Sequence, residues 1–273
     1  MTALRGIARR NPLLVVGAVV AVAWVIAAVF APALTPLQPL TQNVSARLQP
    51  PGLFPWGTDE LGRDIFTRVL YGARITIPAG ILVIAFGSLL GMAVGAVAGF
   101  IGGIGDEIIM RLTELFMAFP TIILAMAVSA ALGPDIRNAI IALVVVWWPP
   151  YARLMRGLVL KAKTQDYVEA AMCLGASRPY LLWRTILPNC LSPMLVMTTL
   201  DIGSAILTFA GLSFLGLGPE PASPEWGRMV AVGIDYFDQW WMWLFPGASI
   251  ASLVIAFNFI GDGLRDVFDV RLR

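Results

Sequence analysis

Residues 75–105 read ITIPAGILVIAFGSLLGMAVGAVAGFIGGIG, with no charged side chain anywhere in the run. A helix needs ~20 consecutive apolar residues to cross ~30 Å of hydrocarbon. This stretch is long enough, and it is not alone. Charges are also missing from residues 11–46, 115–134, 138–152, 202–219 and 239–261, and Asp201 alone interrupts the stretch 185–219. The gaps predict an all-α membrane protein with about six spans, near residues 12–32, 76–101, 108–132, 138–158, 187–210 and 243–262. Strand-length segments of alternating polarity do not occur, which argues against a membrane β-barrel.

Composition agrees with that reading. Of the 273 residues, 58% are hydrophobic and 13% charged, and the mean hydropathy is +0.80. A soluble domain carries ~45–50% apolar and ~25% charged residues, so this chain has too little polar surface to cover a water-soluble globule. Disorder is excluded because it needs low hydrophobicity and high charge. A net charge of +2 gives no case for a nucleic-acid partner. Histidine is absent, which removes imidazole acid–base catalysis and most zinc sites. Cys173 and Cys190 show neither metal spacing nor a disulfide framework, so no metal site is expected.

Lys and Arg set the orientation. With the N-terminus inside, the inner side holds Arg5, Arg9, Arg10, Arg111, Arg153, Arg156, Lys161, Lys163, Arg178, Arg184, Arg265, Arg271 and Arg273, and only Arg47, Arg63, Arg68, Arg74, Arg137 and Arg228 fall outside. This is the positive-inside pattern for an N-in, C-in chain. The first apolar run, Leu13 to Phe30, exceeds the ~7–15 residues of a signal-peptide core and reads as an uncleaved signal anchor. The organisation expected is an N-terminal tail, first span and outer segment over 1–74, a transmembrane domain over 75–265, and an inner tail over 266–273. Two outer segments are long, roughly 33–75 and 211–242, and the longest inner one is roughly 158–186.

The inner segment contains Asp166-Tyr167-Val168-Glu169-Ala170-Ala171-Met172-Cys173-Leu174-Gly175-Ala176-Ser177-Arg178-Pro179, followed by Leu187-Pro188-Asn189. Tyr167 to Leu174 can form a short helix, with Asp166 as N-cap and Glu169 in the first turn, where a negative charge suits the positive helix end. Gly175 supplies the stop and Pro179 follows. A second helical stretch precedes Pro188. The small residues leave room for the close approach of another protein; a plain connector between spans is the alternative.

These residues resemble the cytoplasmic signature of ABC-importer permease subunits: Glu-Ala-Ala, three residues, Gly, nine residues, then Ile-x-Leu-Pro. Glu169-Ala170-Ala171, Gly175 and Leu187-Pro188 stand at that spacing, and Thr185 departs from it at the Ile position, with Ile186 beside it. The outer segments narrow the resemblance. They contain Trp56-Gly57-Thr58-Asp59-Glu60-Leu61-Gly62-Arg63-Asp64, then Arg68 and Tyr71-Gly72-Ala73-Arg74. Further on come Ser213 to Gly218, Pro224-Glu225-Trp226-Gly227 and Met229, and the end reads Phe257 to Asp266. From about residue 55 onward the chain is similar to the C-type permease subunit of dipeptide, oligopeptide and nickel ABC importers.

The resemblance implies a type I ABC-importer permease fold in a bacterial inner membrane. It further implies a heterodimer with a second homologous permease, two ATPase subunits that use ATP and Mg, and a periplasmic or lipid-anchored solute-binding protein. Residues 166–179 would be the coupling helix, with Asp166, Glu169, Ala170, Ala171 and Gly175 meeting an ATPase groove. Di- or oligopeptides are the substrate it points to; nickel, glutathione or another small solute is the alternative. This chain has no phosphate-binding loop and is not expected to be an enzyme or to bind a cofactor.

Read physically, Asp59, Glu60 and Asp64 interleave with Arg63 and Arg68, so the first outer segment can pair its own charges. Asp59, Arg63, Asp64 and Trp226 are also candidates for a docking surface or an outer gate. Trp226, Trp240, Trp241 and Trp243 suit an interfacial aromatic belt, with ligand stacking as the alternative. Among polar groups inside spans, Glu114, Asp201, Asn258 and Asp262 are the candidates, and Glu114 and Asp262 lie near inner ends. Asp201 lies about 14 residues beyond Leu187, roughly 21 Å along a helix. Its carboxylate can pair with a cation of the partner subunit, stay protonated, or line the pore. Pro149-Pro150 removes two backbone donors from the fourth span and should kink or unwind it, as packing or as a hinge. An ion-coupled secondary transporter would rest on Asp201 alone, and a membrane enzyme lacks a catalytic set.

Overall fold

A computed structural model describes residues 11–269. The arginines at 5, 9, 10, 271 and 273 used above for orientation lie outside the described residues.

Most of the charge-free run 75–105 forms the inner part of α3 (Ile65–Ile101), a helix of 37 residues. It starts eleven positions ahead of the expected boundary, because helix formation does not stop where the apolar run stops. Asp64 caps it, its Oδ2 accepting the Thr67 N–H at 2.8 Å and the Thr67 hydroxyl at 2.6 Å. It ends at Gly102 and Gly103, with φ of 69° and 61°. The expected division at 74/75 therefore falls inside one continuous helix.

Along α3, Gly87, Gly91, Gly95 and Gly99 recur every fourth residue and form a seam on one face. The helix α6 (Ile136–Lys163) lies in that seam. A Cβ on Gly91 would meet the Trp148 carbonyl and Tyr151, and one on Gly95 would meet the Ala152 backbone. In hydrocarbon there is little hydrophobic drive between helices, so such close backbone approach supplies the packing energy. Lys163, in the last turn of α6, donates to the Phe100 carbonyl at 3.0 Å and so serves the unpaired C-terminal end of α3. Pro149 and Pro150 sit within α6, which continues through them as one helix; the expected unwinding does not occur.

The third expected span, 108–132, is two helices. α4 (Gly103–Met117) and α5 (Thr121–Leu132) meet at a 90° bend. The cause is Phe119-Pro120: a residue before proline is pushed out of the helical region. Among the described residues five helices are long and apolar enough to cross a membrane, or six if the bent pair counts as one.

After α6 comes α7 (Asp166–Cys173), then α8 (Arg178–Phe214), which begins earlier than the expected 187. Pro188 cannot donate to a carbonyl in the preceding turn, and the ladder adjusts through a π turn at Leu181–Ile186. A short outer helix α9 (Trp226–Asp235) leads to α10 (Trp240–Asp269), which stays helical beyond residue 266, where a tail was expected. At the front, α1 (Pro12–Val29) packs on α10. Gly17 faces Ala256 and Phe259, and the Trp24 indole donates to Ser252 Oγ at 2.9 Å. A short turn of helix, α2 (Ala31–Leu34), follows it.

The core falls into three buried groups along the helix axes. An outer one contains Val69, Ile206, Trp226 and Leu253. A middle one contains Val83, Ala125, Leu143 and Phe209. An inner one contains Ala96, Tyr151, Met155, Val168, Leu181 and Met194.

Candidate functional site

Most residues of the inner segment from 164 to 180 are exposed. In α7, Asp166 and Glu169 occupy the first turn and face the positive end of the helix. Gln165 is the N-cap and Asp166 the first helical residue, one position from the expectation. The helix closes in a Schellman arrangement. Gly175 N–H donates to Met172 O at 2.9 Å and Ala176 N–H to Ala171 O at 3.1 Å, with Gly175 at φ 79°. Only Gly pays no steric penalty there. Val168 is buried and ties α7 to Ala162, Leu181 and Ile186. Asp166, Glu169, Ala170 and Gly175 are exposed and Ala171 half-buried. Around them Leu174 is 88% and Trp183 68% exposed.

Behind this surface, Arg156 of α6 grips Asp106 of α4, with Nε–Oδ1 at 2.5 Å and Nη2–Oδ2 at 2.6 Å. The pair fastens the base of the bent helix to the seam. Sequence reasoning used Arg156 only for orientation; no pattern links two residues fifty positions apart. Among the described residues Glu114, by contrast, makes only a surface pair with Arg111 at 3.4 Å, and Asn258 and Asp262 are exposed.

In the middle of α8, the Asp201 carboxylate accepts the Tyr151 hydroxyl at 2.7 Å. A carboxylate facing lipid at mid-depth costs ~2.5–3.5 kcal/mol on insertion scales, and this hydrogen bond offsets part of that cost. Tyr151 is fully buried and directly follows Pro149-Pro150, so the two features of the sequence that stood apart, the double proline and the intramembrane acid, meet at one place. Tyr151 itself was not singled out from the sequence, although its position beside the prolines was visible.

The outer residues form a sealed cap. Asp59 receives Arg63 Nε at 2.6 Å and Arg68 Nε at 3.4 Å, and Arg63 reaches Glu60 at 2.8 Å. Arg68 also donates to the Ser223 carbonyl at 3.1 Å, tying the two outer segments together. Asp59, Arg63 and Asp64 are each under a tenth exposed and Trp226 has no exposed surface. These four are therefore corrected as candidates for docking: a side chain closed off inside its own chain offers no surface. Trp226 donates its indole N–H to the Val69 carbonyl at 2.9 Å and lies against Trp24. Trp241 is likewise buried, donating to the Thr58 carbonyl at 3.1 Å. Neither belongs to an aromatic belt, for which Trp240 and Trp243 remain. Glu225, quoted above as part of a motif but given no role of its own, is fully buried at the start of α9. It accepts from Thr76 Oγ1 at 3.1 Å, Gly227 N at 3.0 Å and Arg228 N at 2.9 Å. Burial pushes its carboxyl above the usual range, against the lowering effect of those hydrogen bonds.

Residues 87–273 match the family model described as binding-protein-dependent transport system inner membrane component. The chain belongs to that family. A second model, the N-terminal TM domain of oligopeptide transport permease C, matches residues 7–51 of this permease. Among curated relatives, the probable D,D-dipeptide transport system permease protein of Escherichia coli (strain K12) is 45% identical over 95% of this chain and 88% of its own length. The dipeptide transport system permease protein of Alkalihalophilus pseudofirmus is 40% identical over 97% and 88%. Among solved structures, a chain of the MetNI methionine ABC transporter in inward-facing conformations aligns with a TM-score of 0.61 at 20% identity. It covers 74% of this permease and 97% of that chain. The type I importer fold is thus the permease's fold, and the long helices make it a multi-pass membrane protein.

Proposed function

We propose that this permease is one half of the pore of an ATP-driven importer that moves di- or oligopeptides across a bacterial inner membrane. The dipeptide and peptide permeases among its relatives support the substrate class. ATP and Mg would be used by two separate ATPase subunits, a second homologous permease would complete the pore as a heterodimer, and a periplasmic or lipid-anchored binding protein would deliver substrate.

The observation that carries the reading is α7 and its flank. Asp166, Glu169, Ala170 and Gly175 lie at the surface, beside an exposed apolar patch, on a helix anchored from beneath by Val168. Such a patch marks a protein–protein contact. Val168 and Tyr151 belong to one packed inner group, so force on α7 has a contiguous path to the centre of α6. Closure of the ATPases would draw α7 with them and switch the spans between outward and inward access.

The test uses the complete transporter with all partners. Glu169→Lys and Gly175→Val should leave the permease in the membrane and lower both peptide uptake and peptide-stimulated ATP hydrolysis. Normal uptake by both variants would overturn the coupling role. Omitting the second permease should abolish uptake; undiminished uptake without it would exclude an obligate heterodimer.

A further inference from the structure

The polar side chains of α8 fall into register. Thr198, Asp201, Ser204 and Thr208 are spaced as residues on one helical face are spaced. All four are half-buried or exposed, whereas Gly203 and Ile206 on the opposite face are buried. The hydroxyls of Thr198 and Thr208 donate back to the carbonyls of Leu195 and Ser204 at 2.9 and 2.7 Å. Their lone pairs are therefore left to accept from outside the helix. Polar groups in a span turn toward a cavity or a partner rather than toward lipid.

At the centre of this stripe, Tyr151 holds Asp201 by Oδ2. Among the described residues no Lys or Arg pairs with Asp201, and no hydrogen bond from the protein reaches Oδ1. The tyrosine is immobile, since its ring is fully buried and its Cβ rests against Gly91. The carboxylate is thus aimed, with one oxygen free and hydroxyl acceptors above and below it.

We propose that Asp201, oriented by Tyr151, is an ammonium-binding subsite on the translocation path. A primary ammonium carries three donors and no acceptor. The free oxygen of Asp201 together with the hydroxyls of Thr198 and Ser204, each about 4.5 Å away along the helix axis, can replace water around it. The Tyr151 hydrogen bond draws charge from the carboxylate, which keeps the hold weak enough for release. The inference rests on the peptide-importer reading and adds to it the part of the substrate that is held in transit. An amino terminus and a lysine side chain present the same group, and the experiment separates them.

The complete transporter, reconstituted in liposomes, is given Gly-Ala or Gly-Lys, with uptake normalised to assembled complex. Asp201→Asn should lower kcat/KM by about tenfold, Asp201→Glu should restore most of it, and Tyr151→Phe should shift KM by about threefold. Loss with both peptides assigns the amino terminus; loss confined to Gly-Lys assigns the side chain. Normal uptake of both by Asp201→Asn overturns the subsite. A second arm places Ser204→Cys, one turn from the retained Asp201 carboxylate, in a Cys173→Ser, Cys190→Ala background and applies a cationic thiol reagent. Modification in the assembled transporter that ethylammonium slows supports the subsite. Modification of the isolated chain but not of the assembled transporter shows that the partner permease covers the site, and overturns it. If the wild-type transporter moves neither peptide, the peptide reading fails, while ethylammonium protection or its absence still decides the subsite.

Discussion

Asp59, Arg63 and Arg68 at the outer end and Asp166, Glu169 and Arg178 at the inner end are the same kinds of residue, in segments of similar polarity. The outer three are between 3% and 5% exposed and bonded to one another; the inner three lie at the surface and, among the described residues, form no salt bridge. The outer end uses its charges to hold its own segments together. The inner end leaves them, with Leu174 and Trp183, for another chain. Substitutions should therefore act in opposite currencies, on stability outside and on coupling inside.

The largest stability effect should come from Asp59→Ala. It removes the shared anion of two buried guanidinium groups, leaving Arg63 with Glu60 and Arg68 with backbone carbonyls, and it strands two backbone donors. Removing one partner of a buried pair costs about 3–5 kcal/mol, to be read as a lower thermal midpoint in detergent and poor recovery from the membrane. A midpoint within a degree of wild type would show that the cap is not held by these charges. Glu225→Ala should follow, at about 1–3 kcal/mol, because it removes a helix cap and leaves buried donors unpaired. The raised carboxyl of Glu225 also carries a pH dependence. The fold favours its protonated form, so that contribution is complete at acid pH, below the unfolded value, and declines as pH rises through the folded one. Glu225→Gln should flatten that part of the pH–stability profile. Glu169→Lys should be the smallest of the set, within about 0.5 kcal/mol of wild type, while reducing uptake most. Equal losses of stability from Asp59→Ala and Glu169→Lys would erase the contrast between the two ends.

Much of the fold was legible because hydrocarbon imposes a simple rule on sequence: charge-free runs of sufficient length become spans. The rule marks the apolar part of a helix and says nothing of its ends. Hence α3 and α8 begin well before the predicted residues, and the Ile136–Lys163 helix runs past its predicted end into a basic last turn. The bend at Phe119-Pro120 was readable from the proline but lay within an unbroken apolar run. The seam of Gly87, Gly91, Gly95 and Gly99 was a plain four-residue period that directly predicts close helix packing. In the candidate sites, the inner segment was legible because α7 is local: cap, first-turn acids and terminal glycine all lie within a dozen residues. In the outer cap the pairing of Asp59 and Glu60 with Arg63 and Arg68 was legible, but the burial was not, because whether Asp59 and Trp226 face water depends on Arg68, Val69 and Trp24, contacts that cross the chain. Tyr151 as the partner of Asp201 was hidden for the same reason.

The chain carries its own probe for the central claim. Cys173 is exposed at the end of α7 and Cys190 is buried in α8. In the detergent-solubilised permease a maleimide should modify Cys173 and spare Cys190. Assembly with the ATPase subunits should then protect Cys173, with the protection changing between nucleotide-free and ATP-bound complexes. Equal modification of Cys173 with and without the ATPase subunits would contradict the assignment of α7 as the element through which this permease is driven.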